Sequence, residues 1–179
     1  MGERGISTGG PTRGPARDEL LDVLFRRRYE GLVRLAVVML RSREAAEDAV
    51  QDAFVALHRN WLSLRDPEAA EAYLRSAVLN RCRSWVRRQV TQRAARPLML
   101  VREHAESPEE TTVGRDEVGS LVAIMRTLAR RQREVLACRL VLDLSVAETA
   151  RLLEISEGAV KAHAHRGLQT IQRRIEVTP

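Results

Sequence analysis

From Asp18 onward, apolar side chains recur three and four residues apart, and this spacing restricts the chain to packed helices. Leu21, Leu24, Phe25, Leu32, Leu35, Ala36 and Met39 trace the buried face of an amphipathic helix expected from Asp18 to about Leu40. Ser42 is placed to cap a second helix, in which Ala46, Ala49, Val50, Ala53, Phe54 and Leu57 form the inward stripe. Asp66-Pro67 marks the start of a third, reaching to about Gln89, because Asp accepts backbone N–H bonds and Pro fits the first helical position. Composition agrees with a helical interior. Aromatic residues are only 3%, so Leu, Val, Ile and Ala must fill the core, and that favours helix on helix over a β-sandwich. A length of 179 residues with 44% hydrophobic content suits one ordinary domain or two small ones.

The organisation expected along the chain is a disordered tail at 1–17, a first helical domain at 18–93, a linker at 94–120 and a second helical domain at 121–175. The tail carries Gly2, Gly5, Gly9, Gly10, Pro11, Gly14 and Pro15 with few apolar side chains, too few to offset the entropy of ordering. The linker is acidic, with Glu103, Glu106, Glu109, Glu110, Asp116 and Glu117 against Arg102 and Arg115, and it is broken by Pro108, Gly114 and Gly119. Beyond it, Leu121 to Leu128, Arg131 to Leu140, Ser145 to Leu153 and Ser156 to Arg174 show helical periodicity separated by short gaps.

Charge narrows the function classes. The formal net charge is +6 and Lys161 is the single lysine among 30 Lys and Arg residues, so the basic surface is built of arginine and suits a polyanion. No run approaches the roughly 18 apolar residues of a membrane span, and the N-terminus lacks a signal-peptide core, so a cytoplasmic protein without membrane insertion is expected. Cys82 and Cys138 have no CxxC or HxxH near them, and they read as reduced, buried thiols rather than a disulfide or zinc site. His58, His104, His163 and His165 form no catalytic arrangement, and no phosphate-binding loop or dinucleotide fingerprint is present. No catalytic residue, metal or cofactor is expected.

Two constellations point to nucleic acid. In the first, Ser145 caps a short helix, Ala150 and Leu153 face inward, a turn seats Ile155, and Ser156 caps a helix exposing Lys161, His165 and Arg166. This is the layout of a helix-turn-helix, and small residues at Gly158, Ala159 and Ala162 let the helix end approach a phosphate backbone. An ordinary αα-hairpin with solvated charges has the same pattern. In the second, Arg75, Arg81, Arg83, Arg87, Arg88 and Arg93 fall with no acidic residue between them, interleaved with Trp85 and with Tyr73 just ahead. Guanidinium groups hold phosphates and stack on unpaired bases, and Asn80 among them can offer a donor and an acceptor to a base edge. Trp85 shares the apolar stripe of Ala77, Val78 and Cys82 and is expected in the core, and Asn80 could equally be exposed and idle. Against this basic background the second helix has an acidic outer face of Glu44, Glu47, Asp48, Gln51 and Asp52, which is most simply solvated or turned toward a partner.

Two stretches resemble the extracytoplasmic-function sigma factors of bacterial RNA polymerase, members of the sigma-70 family, and within them the actinobacterial sigma-E-like group. Arg34-Leu35-Ala36, Ala46-Glu47-Asp48-Ala49-Val50-Gln51-Asp52-Ala53-Phe54, Ala72-Tyr73-Leu74 and Asn80 are similar to the family's domain two. Leu128, Arg131-Gln132-Arg133-Glu134-Val135-Leu136, Leu144-Ser145, Glu148-Thr149-Ala150 and Ile155-Ser156-Glu157-Gly158-Ala159-Val160-Lys161 are similar to its domain four. The resemblance implies an all-α, two-domain promoter-specificity subunit whose partners are core RNA polymerase, promoter DNA as duplex and as melted non-template strand, and in some members an anti-sigma protein.

By the same resemblance, Glu47, Asp48, Gln51 and Asp52 fall where the polymerase is contacted. Trp61, Arg65, Arg75, Asn80, Arg81, Arg83, Arg87 and Arg88 fall where the melted minus-ten strand is captured, with Asn80 at a flipped base. Ser156, Glu157, Gly158, Lys161, Ala162, His165 and Arg166 fall where the minus-thirty-five duplex is read, and the linker falls in the polymerase active channel and RNA exit path. The chain departs from the family at Glu154 for a usual Gly, Ala129 for Pro, Ala162 for Ser, His163 for Arg and Tyr73 for Trp. The competing reading is a duplex-binding helix-turn-helix regulator outside the polymerase, which explains neither Asn80 with its arginines nor the acidic face; a helical regulator binding only protein would show no salt-dependent DNA affinity.

Overall fold

Six consecutive apolar residues, Leu35 to Leu40, occupy every direction around a helix, so this stretch has no side suited to water. The computed structural model describes residues 15–40, 42–61, 67–95 and 117–177, and it shows how the stretch is covered. Helix α1 spans Pro15–Leu40, α2 Arg43–Asn60 and α3 Pro67–Ala95; α4 spans Glu117–Arg126, α5 Arg130–Leu136, α6 Val146–Leu153 and α7 Glu157–Val177. A π-helical turn, Ala137–Val141, continues α5. Every regular element among the described residues is helical. Helices α2 and α3 pack on α1 from one side, while α4, α5 and the π turn pack on it from another. Leu35, Ala36, Val38, Met39 and Leu40 are all buried as a result.

The first three helices begin where local chemistry allows. Ser42 caps α2, its hydroxyl accepting from the Ala45 N–H at 3.1 Å. Pro67 opens α3 and Pro15 opens α1, at the helical position where a missing N–H costs nothing. Helix therefore starts three residues before Asp18, and α3 runs past Gln89 to Ala95. Glu117 begins α4 inside the stretch expected to be linker; the remainder of that linker, 96–116, lies outside the described residues, as does tail 1–14. The α2 stripe Ala46, Ala49, Val50, Ala53 and Leu57 is buried, with Phe54 half-buried beside it.

In the second unit, α5, α6 and α7 pack together, with α4 against α7. A β-carbon at Gly167 of α7 would lie 2.7 Å from Leu136 Cδ1 and 3.2 Å from its Cγ. Only glycine permits that approach of α7 to α5 without moving a buried leucine. The helix expected over Arg131 to Leu140 is interrupted at its end: the Leu142 N–H reaches back five residues to Ala137 O at 3.3 Å, which widens the turn. Leu142 then projects toward α1, where its Cδ2 lies 4.0 Å from the position a β-carbon would take on Gly31.

Candidate nucleic-acid and polymerase interfaces

Helix α3 buries two adjacent faces and leaves a third open. Ala70, Leu74, Ala77, Val78 and Cys82 form the face toward α1 and α2, and Trp85, expected in the core, lies on the same stripe only half-buried, packed against its edge. Arg75, Leu79 and Arg83 follow one another at four-residue intervals on a second face. Leu79 in the middle is 1% exposed. Arg75 feels the charge of Glu148 in α6, and Arg83 binds Glu134 in α5. The open face carries Asn80, exposed, followed by a shallow depression lined by Ser84, Arg87, Arg88, Thr91 and Gln92. Arg83 stands at its border, with Nη1 3.5 Å from Asn80 Oδ1.

The individual arginines have distinct surroundings. Arg75 pairs with Glu71 of its own helix, and Glu71 also holds Arg28 of α1 at 2.9 Å. Burial first, and then the neighbouring Arg28 charge, press Arg75 below the usual guanidinium pKa, though a guanidinium stays cationic in the working range. Arg81 reaches Asp52 of α2 at 3.7 Å. Arg87 and Arg88 are exposed, and Arg87 Nη2 donates to Ser84 Oγ at 3.4 Å. Trp61 is seated in the core at the end of α2, 8% exposed, and presents no ring face for a base to stack on. Arg65 lies outside the described residues.

On α2, Asp48, Gln51 and Asp52 are exposed and Glu47 is half-buried, paired with Arg43 at 2.8 Å. Asp48, Asp52 and the exposed Val55 lie at helical spacing on one side, so the acidic face ends in an apolar patch. That patch opens on a groove between α1 and α2 lined by Leu21, Phe25, Phe54, Val55 and His58.

The helix-turn-helix is built as its sequence indicates. Ser145 caps α6 in a reciprocal box: the Glu148 N–H donates to Ser145 Oγ at 3.1 Å, and the Ser145 N–H donates to Glu148 Oε2 at 2.8 Å. Hydrogen bonding from Ser145 holds the Glu148 carboxyl below the usual carboxylate range. Glu154 closes the helix in the left-handed region at φ 56° and ψ 48°, the conformation its departure from Gly makes less comfortable. The Ile155 N–H returns to Ala150 O at 3.1 Å and the Ile155 side chain packs against the core. Ser156 caps α7 through the Ala159 N–H at 3.1 Å.

The start of α7 is open to solvent. Ser156, Glu157, Gly158, Lys161, Ala162, His165 and Arg166 are all solvent-exposed, while Val160 is buried and anchors the turn. A β-carbon at Gly158 would meet only Ser156 Oγ, at 3.9 Å, so the space beside it is open. Arg166 Nη2 lies 3.5 Å from His163 Nδ1, and His165 Nε2 lies 3.0 Å from Gln169 Nε2. His163, half-buried, and His165, exposed, differ in setting as their two-residue spacing requires.

In sequence Glu134 reads as one acid within a run of arginines. It is fully buried, and its carboxylate receives Arg83 through Nε at 3.1 Å and Nη2 at 3.2 Å, Arg130 at 3.0 Å and Arg131 at 2.9 Å. Burial pushes its pKa up, but the hydrogen bond and charge of Arg83, with Arg130 and Arg131, more than reverse this and hold it below the usual range. The signal available in sequence was its position beside Val135, Leu136, Ala137 and Cys138, which are all buried. Cys82 and Cys138 are both free and buried, and burial pushes each thiol up to about 12. Among the described residues, no group of three His, Cys, Asp or Glu is placed to hold a metal ion, and no helix is long and apolar enough to cross a membrane.

Comparison with known proteins brings these surfaces together. Residues 24–91 match the model of Sigma-70 region 2, and residues 119–171 match that of Sigma-70, region 4. The chain is 34% identical over 155 residues to the ECF RNA polymerase sigma factor SigM of Mycobacterium tuberculosis, covering 85% of this chain and 75% of that one. It is 29% identical over 164 residues to the RNA polymerase sigma-E factor of Streptomyces antibioticus, covering 90% and 88%. Among solved structures, the sigma factor RpoE of Bartonella quintana, crystallised with the anti-sigma factor NepR, shares the fold with a TM-score of 0.67 at 21% identity, over 92% of this chain and 98% of that one. CnrH, solved with the cytosolic domain of CnrY, gives a TM-score of 0.68, also at 21% identity, over 93% and 92%. With regions 2 and 4 in order and relatives of this kind along most of its length, the chain belongs to the extracytoplasmic-function sigma factors, the sigma-70 family subunits that give RNA polymerase its promoter specificity.

Proposed function

We propose that residues 18–93 dock on core RNA polymerase and hold the melted minus-ten strand, that residues 121–175 read the minus-thirty-five duplex, and that residues 94–120 connect them through the polymerase channel. The observation that carries this division of labour is the open face of α3, where one exposed amide, Asn80, leads into Ser84, Arg87, Arg88 and Thr91. A base held out of its stack needs contacts to its edge and to its phosphates. The amide supplies the first and the arginines supply the second. Trp61, being buried, supports the end of α2 in this reading instead of stacking on a base.

Exposed Asp48, Gln51 and Asp52, with Glu47, form the polymerase-facing surface. Lys161, His165 and Arg166 beside the Ser156-capped end of α7 form the duplex-reading surface, where helix N–H groups favour phosphate. The chain acts in the cytoplasm by binding alone, with no catalytic residue of its own. An anti-sigma protein is a further partner in this reading, supported by the complex in which the Bartonella quintana protein was crystallised. Run-off transcription by core polymerase from a promoter library, with and without the chain, tests the whole proposal: chain-dependent transcripts from a common promoter pattern are expected, and their absence refutes it.

A further inference from the structure

Helix α2 carries opposite charges at the two ends of one exposed stripe. Asp48, Asp52, Val55 and Arg59 follow at intervals of four, three and four residues, which keeps them on one side of the helix, and all four are exposed. Acid at the start of a helix and base at its end complement the helix dipole wherever they occur. That preference accounts for neither the apolar interval between them nor its neighbours on α1. Val55 is 49% exposed, and across the groove from it Phe25 is 41% exposed, its ring set edge-on to half-buried Phe54 with 5.0 Å between centroids. Leu21 continues the apolar wall on α1, and Arg59 closes the groove on α2. Among the described residues neither Asp48 nor Arg59 has an ion-pair partner, and Asp52 reaches only Arg81, at 3.7 Å, while remaining 74% exposed.

The charges are placed symmetrically about one point. Asp52 and Arg59 are equally far along α2 from the midpoint between Val55 and Ala56, about 5 Å each at the helical rise. Two α2 helices crossing antiparallel at that midpoint set Asp52 of each level with Arg59 of the other, so both bridges form at once. The two Val55 side chains meet between the bridges, the small Ala56 lets the helices approach, and Phe25 stands on either flank. A patch that carries its own complement suits an isologous contact, in which two copies meet through the same surface. A partner of single charge sign would satisfy one end of the stripe and repel the other.

We infer that the chain pairs with a second copy of itself through this stripe, held by two bridges between Asp52 and Arg59 around a centre of Val55 and Phe25. The patch is small and its ion pairs stay near solvent, so the association is weak and reversible. Since Asp48, Gln51 and Asp52 form the proposed polymerase-facing surface, a paired chain cannot dock on polymerase; this occlusion rests on that reading, whereas the pairing does not. Chain in excess of polymerase is thereby held in a reserve that dissolves as single copies are taken up.

Sedimentation velocity of the full chain, from low to high micromolar concentration, tests the pairing. The chain should pass from one copy to two across this range, with the midpoint rising in added salt as the bridges are screened. Asp52→Arg alone sets arginine against arginine, and Arg59→Asp alone sets aspartate against aspartate; each should raise the midpoint by about tenfold. An equal mixture of the two variants should return close to the original midpoint, because each mixed pair holds two bridges of opposite charge. Asp52 also touches Arg81, so recovery in the mixture, which requires both variants to be folded, carries the decision. A chain that stays single throughout the range, or a mixture no better associated than its components, would overturn the pairing. For the occlusion, two copies joined through Val55→Cys by a short cleavable thiol cross-linker should fail to bind core polymerase, and cleavage should restore binding; the native thiols are buried and thus poorly reactive. Normal binding by the joined pair would overturn the occlusion. Failure of the unjoined chain to bind polymerase would count against the docking reading instead, and sedimentation decides the pairing independently.

Discussion

Asp52 of α2 and Arg81 of α3 face each other at 3.7 Å, so the acidic surface and the arginine-rich helix touch at one ion pair. Asp52 is largely exposed, and a pair in that setting contributes roughly 0–1 kcal/mol. Reversing it tests the surface without endangering the fold. Asp48→Arg combined with Asp52→Arg should abolish holoenzyme assembly while moving the thermal midpoint little, since exposed substitutions usually stay within about 0.5 kcal/mol. Gel filtration with core polymerase, alongside thermal unfolding of the free variant, is the measurement; normal assembly would rule the face out.

Asn80→Ala should leave polymerase binding and closed-complex formation near normal and sharply reduce promoter opening. A pre-melted bubble should rescue only part of the loss, because the base edge still lacks its partner. Permanganate reactivity of the bubble compares the two proteins, and equal reactivity would remove Asn80 from the site.

Lys161→Ala and Arg166→Ala in reconstituted holoenzyme distinguish two kinds of contact. Loss of a phosphate contact weakens binding across sequences and lowers its salt dependence, whereas loss of a guanine contact relaxes preference at one position by about 1–3 kcal/mol. Titrations of minus-thirty-five duplexes at several salt concentrations read both. Unchanged binding in both variants would mean that another element reads the duplex.

Glu134 gives a pH signature. Its folded carboxyl ionises below the ordinary 4.5, so below that value the unfolded chain takes up the proton first. The stabilisation it provides is complete above about pH 4.5 and is lost as pH falls through the folded pKa. Glu134→Gln should cost about 1–3 kcal/mol near neutrality by leaving guanidinium groups less well paired. The gap in urea midpoint between the two proteins should narrow as pH falls from about 6 to about 3. A gap that stays constant would show that the charge of Glu134 is not what stabilises.

Glu154 sits at φ 56°, where a side chain costs about 1 kcal/mol relative to glycine. Glu154→Gly should therefore raise the thermal midpoint of the chain, despite the greater freedom that glycine gives the unfolded state. A lowered midpoint would indicate that the Glu154 side chain has a compensating role.

What sequence disclosed was chiefly what is local. The caps at Ser42, Ser145 and Ser156 each join a side chain to a backbone N–H three residues on, and such a bond is written within four positions. The strain at Glu154 could be foreseen because the turn demands a left-handed residue whatever lies around it. The positions that escaped depend on distant partners. Trp61 looks the same in sequence whether it faces a base or a core, and the packing of α2 on α3 decides. Gly167 carries no local mark of its approach to Leu136, and the π turn needs one backbone bond, Leu142 N–H to Ala137 O, that periodicity averages over. Glu134 draws its meaning from Arg83, which lies in the other unit.

The second half of α1 has a consequence for how such chains diverge. Most helices keep one side on which residues can drift freely, but Leu35 to Leu40 are hemmed in from both directions. A change in size there must be matched at once among α2 and α3 and among α4, α5 and the π turn. Regions 2 and 4 of this chain are thus poor interchangeable cassettes: a hybrid taking one region from a relative would inherit a mismatched seam along α1, even where each region alone is well formed.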